Sequence, residues 1–188
     1  YRNGDGVTED DSQAVYWYKK AAEQGHAKAQ YNLGVMYSYG EGVAEDDTQA
    51  VYWYKKAAEQ GDAAAQYNLG NMYDFGKGVT EDDTQAVYWY RKAAEQGVAI
   101  GQWSLATMYQ YGEGVAEDDT QAVYWYRKAA EQGNTHAQFS LGLMYDFGYG
   151  VAEDDTQAVY WYRKAAEQGY AKAQYNLGVM YDFGYGVA

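Results

Sequence analysis

The chain has 188 residues, 27 of them acidic and 14 basic, for a formal charge of −13, and it contains no cysteine and no proline. That balance argues against nucleic acid, whose phosphates call for a Lys/Arg stripe that releases counterions, and against an anionic membrane surface for the same reason. No run approaches the roughly 18 apolar residues of a spanning helix, and the lack of cysteine removes disulfide staples, thiol nucleophiles and thiolate zinc sites.

Taken in order, the chain opens at Tyr1 as the last residue of a helix, followed by a loop and a second helix that carries the hexapeptide QAVYWY from Gln13. The hexapeptide returns unchanged at Gln49, Gln85, Gln121 and Gln157, a period of 36 residues. A fixed period of this size marks a stacked-repeat protein, so residues 1–188 read as a single array of about five repeats. One complete repeat spans residues 26–61. Its first helix is expected from about Ala27 to Ser38, with Ala29, Leu33, Met36 and Tyr37 as an apolar stripe. Gly40 and Gly42 close it, and Val43 plugs the loop beneath. The second helix is expected from about Asp47 to Gln60. Asp46 is its N-cap, Gln49 reaches back as in a capping box, and the acidic triplet Glu45-Asp46-Asp47 suits the positive end of the helix dipole. Ala50, Trp53, Tyr54 and Ala57 form the buried stripe, and Gly61 stops the helix. Tyr52 faces outward over Lys56 as a cation–π pair; with Tyr16, Tyr88, Tyr124 and Tyr160 it makes an outer row of unassigned role. No strand pattern appears. The chain ends after a first helix with the loop GYGVA, so both ends fall within a repeat and neither carries a polar capping unit.

The series Ala29, Leu33-Gly34, Tyr37, Gly40-x-Gly42-Val43, Asp46, Ala50, Trp53, Ala57-Ala58 and Gly61 resembles the Sel1-like repeat, a relative of the tetratricopeptide repeat, five times over. The resemblance implies an all-α fold, a right-handed α/α superhelical solenoid of antiparallel helix pairs. It also implies a scaffold or adaptor role in protein complexes, including bacterial host interaction and cell-envelope processes. Cysteine-rich bacterial relatives linked to penicillin-like ligands are a poor guide here, since this chain lacks their cysteines.

Comparing the repeats with one another shows where this molecule varies. The second helix hardly changes; the first helix does. One place reads Lys28, Ala64, Ile100, His136, Lys172; another Asn32, Asn68, Ser104, Ser140, Asn176; a third Val35, Asn71, Thr107, Leu143, Val179; a fourth Tyr39, Phe75, Tyr111, Phe147, Phe183. These stand at i, i+4, i+7 and i+11, on one face of the helix. In solenoids of helix pairs the first helix lines the concave surface, where long partners lie. The face is therefore the candidate binding groove. Its Asn/Ser ladder offers amides and hydroxyls to an extended backbone, and its rings are rigid contact anchors. A structural reading stands beside it: Asn and Ser bonding between adjacent helices, and rings packing under the loop.

Signs of chemistry are weak. His26 and His136 occupy different places in their repeats, without a fixed serine or carboxylate partner, and read as solvated surface residues. GEGVAED lacks the lysine of a phosphate loop. The acidic triplet lacks the alternating spacing of a calcium loop and already serves as a cap. The sequence thus points to a non-enzymatic scaffold, with no cofactor or metal, that binds a protein or peptide in the groove. The alternative is a carbohydrate or cell-wall-fragment binder using the aromatic ladder. Compartment is not legible: cytoplasmic, periplasmic and secreted settings all suit this composition. The two uncapped end faces are complementary and are expected to stack head to tail, a heterologous contact that builds open filaments. Light scattering across a concentration series should show mass growing with concentration; a strict monomer at high concentration would refute this.

Overall fold

A computed structural model describes residues 9–186; the expectations for Tyr1 and for the last two residues of the closing loop lie outside them. Every regular element among the described residues is an α-helix: α1 (Asp11–Glu23), α2 (Ala27–Tyr39), α3 (Asp47–Glu59), α4 (Ala63–Asp74), α5 (Asp83–Glu95), α6 (Ala99–Tyr111), α7 (Asp119–Glu131), α8 (Thr135–Phe147), α9 (Asp155–Glu167) and α10 (Ala171–Phe183). Even-numbered helices are the first helices of their repeats and odd-numbered ones the second. The fold is the all-α helix-pair array that the period implies.

The termini follow from named side chains. The Asp46 carboxylate accepts the backbone N–H of Gln49 at 3.0 Å, and Asp10, Asp82, Asp118 and Asp154 do the same for Gln13, Gln85, Gln121 and Gln157. The return half of the expected capping box is absent. The N–H of Asp46 instead donates to the Tyr37 carbonyl of the preceding helix at 2.9 Å, so this cap joins two helices. The first helices are capped more variously: His26 Nδ1 accepts from the Ala29 N–H at 3.2 Å, Asp62 from Ala65 and Asn134 from Ala137. His26 is thus exposed, as expected, but has a structural task. Helix α2 runs one residue further than expected, to Tyr39, before Gly40 closes it at φ +68°. Helix α3 stops one residue sooner, because the Gln60 N–H turns to the Ala57 and Ala58 carbonyls.

Two compact bodies are distinguished, residues 1–93 and 94–188, and the division falls within α5. In the first, α1, α2, α3 and α4 pack each on the next. Trp53 of α3 reaches back to Ala22 of α1 and to Ala29 and Leu33 of α2, while Tyr54, Ala57, Leu69 and Met72 fill the space between α3 and α4. In the second, α6 to α10 pack in the same sequential way around Tyr126, Leu141, Met144, Trp161 and Tyr162. Buried glutamines tie successive repeats within each body. Gln30 Nε2 donates to the Ala22 carbonyl, and Gln60 Nε2 donates to Gln30 Oε1 at 2.6 Å; Gln138 with Ala130 and Gln168 repeats the arrangement.

The loop glycines differ in what they do. Gly61 and Gly133 have positive φ with open space around the missing Cβ, whereas a Cβ on Gly150 would land on the Asp119 backbone at the start of α7. Gly133→Ala should therefore cost only the left-handed penalty, about 1–2 kcal/mol. Gly150→Ala must also lift the loop from the preceding repeat and should cost about 3 kcal/mol or more. Chemical denaturation of the two variants checks the order; equal losses would contradict the docking of this loop.

Candidate functional site

The four varied positions share one face of each first helix, and their exposure is graded along it. Lys28, Ile100, His136 and Lys172 are exposed at the helix start, and Ala64 is half-buried. Asn32, Asn68, Ser140 and Asn176 are half-buried, while Ser104 is buried. Val35, Asn71, Thr107, Leu143 and Val179 are half-buried. At the far end the rings stand in solvent: Tyr39 is 72% exposed, and Phe75, Tyr111, Phe147 and Phe183 are each more than half exposed. The ring row is therefore not packing beneath a loop.

The floor of this face holds residues that the sequence reading placed in the core. In the second to fifth copies the last tyrosine of the hexapeptide packs against the first helix that precedes it, ring buried and hydroxyl directed at polar side chains of this face. Tyr90 donates to Asn71 Oδ1 at 2.6 Å and approaches Asp74 Oδ2 at 2.8 Å. Tyr126 donates to Gln110 Oε1 at 2.7 Å and lies 3.2 Å from Thr107 Oγ1, and Tyr162 donates to Asp146 Oδ2 at 2.8 Å. Ser38 and Asn68 bond Tyr54, Ser140 bonds Tyr126 and Asn176 bonds Tyr162. The Asn/Ser row thus bonds between helices while remaining partly accessible. A signal for the hydroxyls existed: phenylalanine would fill the same core space, yet all five copies keep tyrosine. Two further varying rows also belong to this region, Ser38/Asp74/Gln110/Asp146/Asp182 and Tyr31/Tyr67/Trp103/Phe139/Tyr175.

In the first body the face encloses a cavity of about 170 Å³, lined by Tyr39, Asn68, Asn71 and Phe75 together with Tyr54 and Lys77. Small-ligand sites run to roughly 300–1,000 Å³, so this volume suits one inserted side chain. In the second body His136 is not alone in solvent: its ring lies 5.5 Å from Trp103 and 5.2 Å from Tyr170. Phe147 stacks on Tyr149 at 5.8 Å, and Phe183 on Tyr185 at 5.9 Å. On the opposite side, Tyr52 is half exposed, edge-on to Trp53, with Lys56 Nζ 5.2 Å from its centroid. Tyr16, Tyr88, Tyr124 and Tyr160 repeat that cation–π pairing. Among the described residues no group of three or more His, Asp or Glu side chains is arranged to hold a metal ion.

The model of the Sel1 repeat matches residues 1–26, 27–62, 63–98, 99–134, 135–170 and 171–188. Among solved structures, the chain is similar to c5321, a protective antigen of uropathogenic Escherichia coli strains with an SLR fold: 48% identity, TM-score 0.96, covering 100% of this chain and 40% of that one. The chain therefore spans well under half the length of that relative. A Sel1 repeat protein from Oxalobacter formigenes is 37% identical at TM-score 0.85, covering 94% of this chain and 75% of its own. Immunity protein Pa5087 from Pseudomonas aeruginosa is 26% identical at TM-score 0.55, covering 92% and 66% respectively. No curated protein sequence matches.

Burial raises the pKa of the inserted tyrosines Tyr54 and Tyr162 well above the ordinary phenol value, and pushes Tyr126 up to about 12 despite hydrogen bonds from Thr107 and Ser140 that lower it. A folded pKa above the unfolded value near 10 means that the neutral form is favoured by folding. The stabilisation is fully present below about pH 10 and is lost as pH rises through the folded value. For Tyr126 the loss is about 1.4 kcal/mol per pH unit between about pH 10 and 12. On alkaline titration, phenolate absorbance should grow first from exposed tyrosines, and the last phenolates should appear together with loss of helical circular dichroism. A single ordinary phenol titration with helicity intact would contradict the floor geometry.

Proposed function

The chain belongs to the Sel1 repeat family, and on that premise we propose that it is a non-enzymatic scaffold that holds an extended protein segment along the first-helix face. Sel1 repeat proteins are generally protein-interaction scaffolds, and the structures this chain resembles include an immunity protein. The observation that carries the reading is the conjunction on one face of solvent-standing rings, half-buried amides and a cavity sized for a side chain. Rigid aromatics beside adaptable polar groups are what an extended segment needs: the rings anchor its side chains and the amides pair with its backbone. Lys28, Asn32, Val35, Tyr39 and their counterparts are the proposed contacts.

A carbohydrate or cell-wall fragment is the second reading, favoured by the flat exposed pairs Phe147/Tyr149 and Phe183/Tyr185. The acidic charge argues against nucleic acid, and no described helix is long and apolar enough to cross a membrane.

Peptide and glycan arrays probed with the same chain separate the readings. Asn68→Ala with Asn176→Ala should weaken an extended peptide by about tenfold, roughly 1.4 kcal/mol, and leave a stacked sugar within about twofold, since stacking does not use the amides. Ser38 keeps a bond to Tyr54 in this variant, and Asp146 one to Tyr162. Equal losses for both ligand classes would remove the distinction, and binding to glycans alone would replace the first reading by the second.

A further inference from the structure

Within the floor row, the residue that meets the inserted tyrosine differs between repeats, and it differs together with its neighbour. The pairs read Ser38-Tyr39, Asp74-Phe75, Gln110-Tyr111, Asp146-Phe147 and Asp182-Phe183. A carboxylate always precedes phenylalanine, and a neutral side chain always precedes tyrosine. The structural task at this place is to bond the tyrosine hydroxyl. Neutral side chains do so, Ser38 with Tyr54 and Gln110 with Tyr126. The hydrogen bond therefore explains an oxygen at positions 74 and 146, not a negative charge. The charge is also poorly placed for the fold. Asp74 is the last residue of α4, and Asp146 and Asp182 lie next to the last residues of α8 and α10. The carbonyl end of a helix disfavours an anion.

At Asp74 the offset is partial. Burial raises its pKa, the Tyr90 hydroxyl lowers it, and the nearby Asp83 carboxylate raises it further; no cation is among the groups acting on it. The ring beside each carboxylate is exposed, Phe75, Phe147 and Phe183 all more than half. In the second body two of these rings are widened by stacking on Tyr149 and Tyr185. A carboxylate one residue from an exposed ring offers both parts that a Lys or Arg side chain uses, an apolar surface for its stem and an acid for its head.

We propose that the Asp74-Phe75, Asp146-Phe147 and Asp182-Phe183 pairs are subsites for basic side chains of the bound segment, so that the occupant of the first-helix face is an extended protein segment carrying Lys or Arg. This rests on the peptide-scaffold reading above and adds the class of segment. The Ser38-Tyr39 and Gln110-Tyr111 places take neutral side chains. Lys77 lines the cavity in the first body, whereas the same place after Phe147 and Phe183 in the second holds Tyr149 and Tyr185. The second body is thus the cleaner place to test the pairing.

The test uses the full chain and two dye-labelled Gly/Ser peptides of equal length, one with arginines at regular intervals and one with glutamines in their place, read by fluorescence anisotropy. The arginine peptide should bind at least about tenfold tighter. Asp146→Asn with Asp182→Asn keeps an acceptor for Tyr162 and should abolish most of that preference. Glu131→Gln with Glu167→Gln removes the same charge from exposed positions on α7 and α9 and should change it by less than about twofold. Ser38→Asp should strengthen arginine binding. Equal losses in the two double variants would reduce the effect to bulk charge and overturn the proposal, as would an unchanged preference in Asp146→Asn/Asp182→Asn. Equal binding of both peptides that is sensitive to Asn176→Ala leaves the scaffold reading standing and removes the cation subsites. Binding of neither peptide removes both.

Discussion

The ring of Tyr54 lies flat against Gly34 of the preceding first helix, so close that a Cβ there would stand 2.6 Å from a ring carbon; Tyr90 on Gly70 and Tyr162 on Gly142 repeat the contact. Much else depends on this approach. The missing side chain lets a second helix sink toward the first helix before it, which closes the apolar space around Leu33, Leu69 or Leu141. The same insertion carries the phenol oxygen through the core to the far side, where it meets the polar row of the first-helix face. One residue thereby belongs to both the packing and the surface. Its ring fixes the distance between helices, and its hydroxyl fixes the rotamers of the side chains that a ligand would meet. The third repeat carries Ala106 at the glycine place, and Tyr126 still reaches Gln110 and Thr107 from the same cluster.

A second constraint acts between successive repeats. Buried amides are costly unless bonded, and the glutamines resolve this by bonding across the joint: Gln30 to the Ala22 carbonyl on one side and to Gln60 on the other. Such bonds have direction and fixed length, so they set the register of one helix pair on the next where apolar packing of alanines alone would let it slide. The Asp46 cap adds to this by spending its N–H on the Tyr37 carbonyl. Apolar burial holds the repeats together; these polar bonds decide how they are seated.

Much of this was legible in the sequence because its causes are local and repeat. The 36-residue period, the glycine stops and the aspartate caps placed helix ends to within a residue at α2 and α3. The outward tyrosines over lysines followed from spacing along one helix. What was not legible depends on contacts between helices. The capping box failed because a distant carbonyl competed for the Asp46 N–H. Tyr54 was assigned to the core by its helical stripe, which is correct for its ring and silent about its hydroxyl. The floor row escaped notice because Ser, Asp and Gln look interchangeable as surface residues, and only the partner hydroxyl shows that they perform one task. His136 seemed solitary because Trp103 and Tyr170 come to it from other repeats.

The loop glycines bear on how such a chain changes over generations. Gly78 abuts the backbone at the start of α3, and Gly150 does the same at α7, so each of these loops is fitted to the repeat before it through main-chain shape, with Val79 and Val151 packed on the clusters beneath. With the hexapeptide also identical in every copy, the repeats carry largely shared joining surfaces, Ala106 at the glycine place being one departure. Whole repeats are then nearly interchangeable parts: duplicating, losing or reordering one asks little refitting of the seams, while an insertion of any other length breaks them. The varied face travels with the repeat that bears it. A recognition surface built in this way is revised by shuffling 36-residue words.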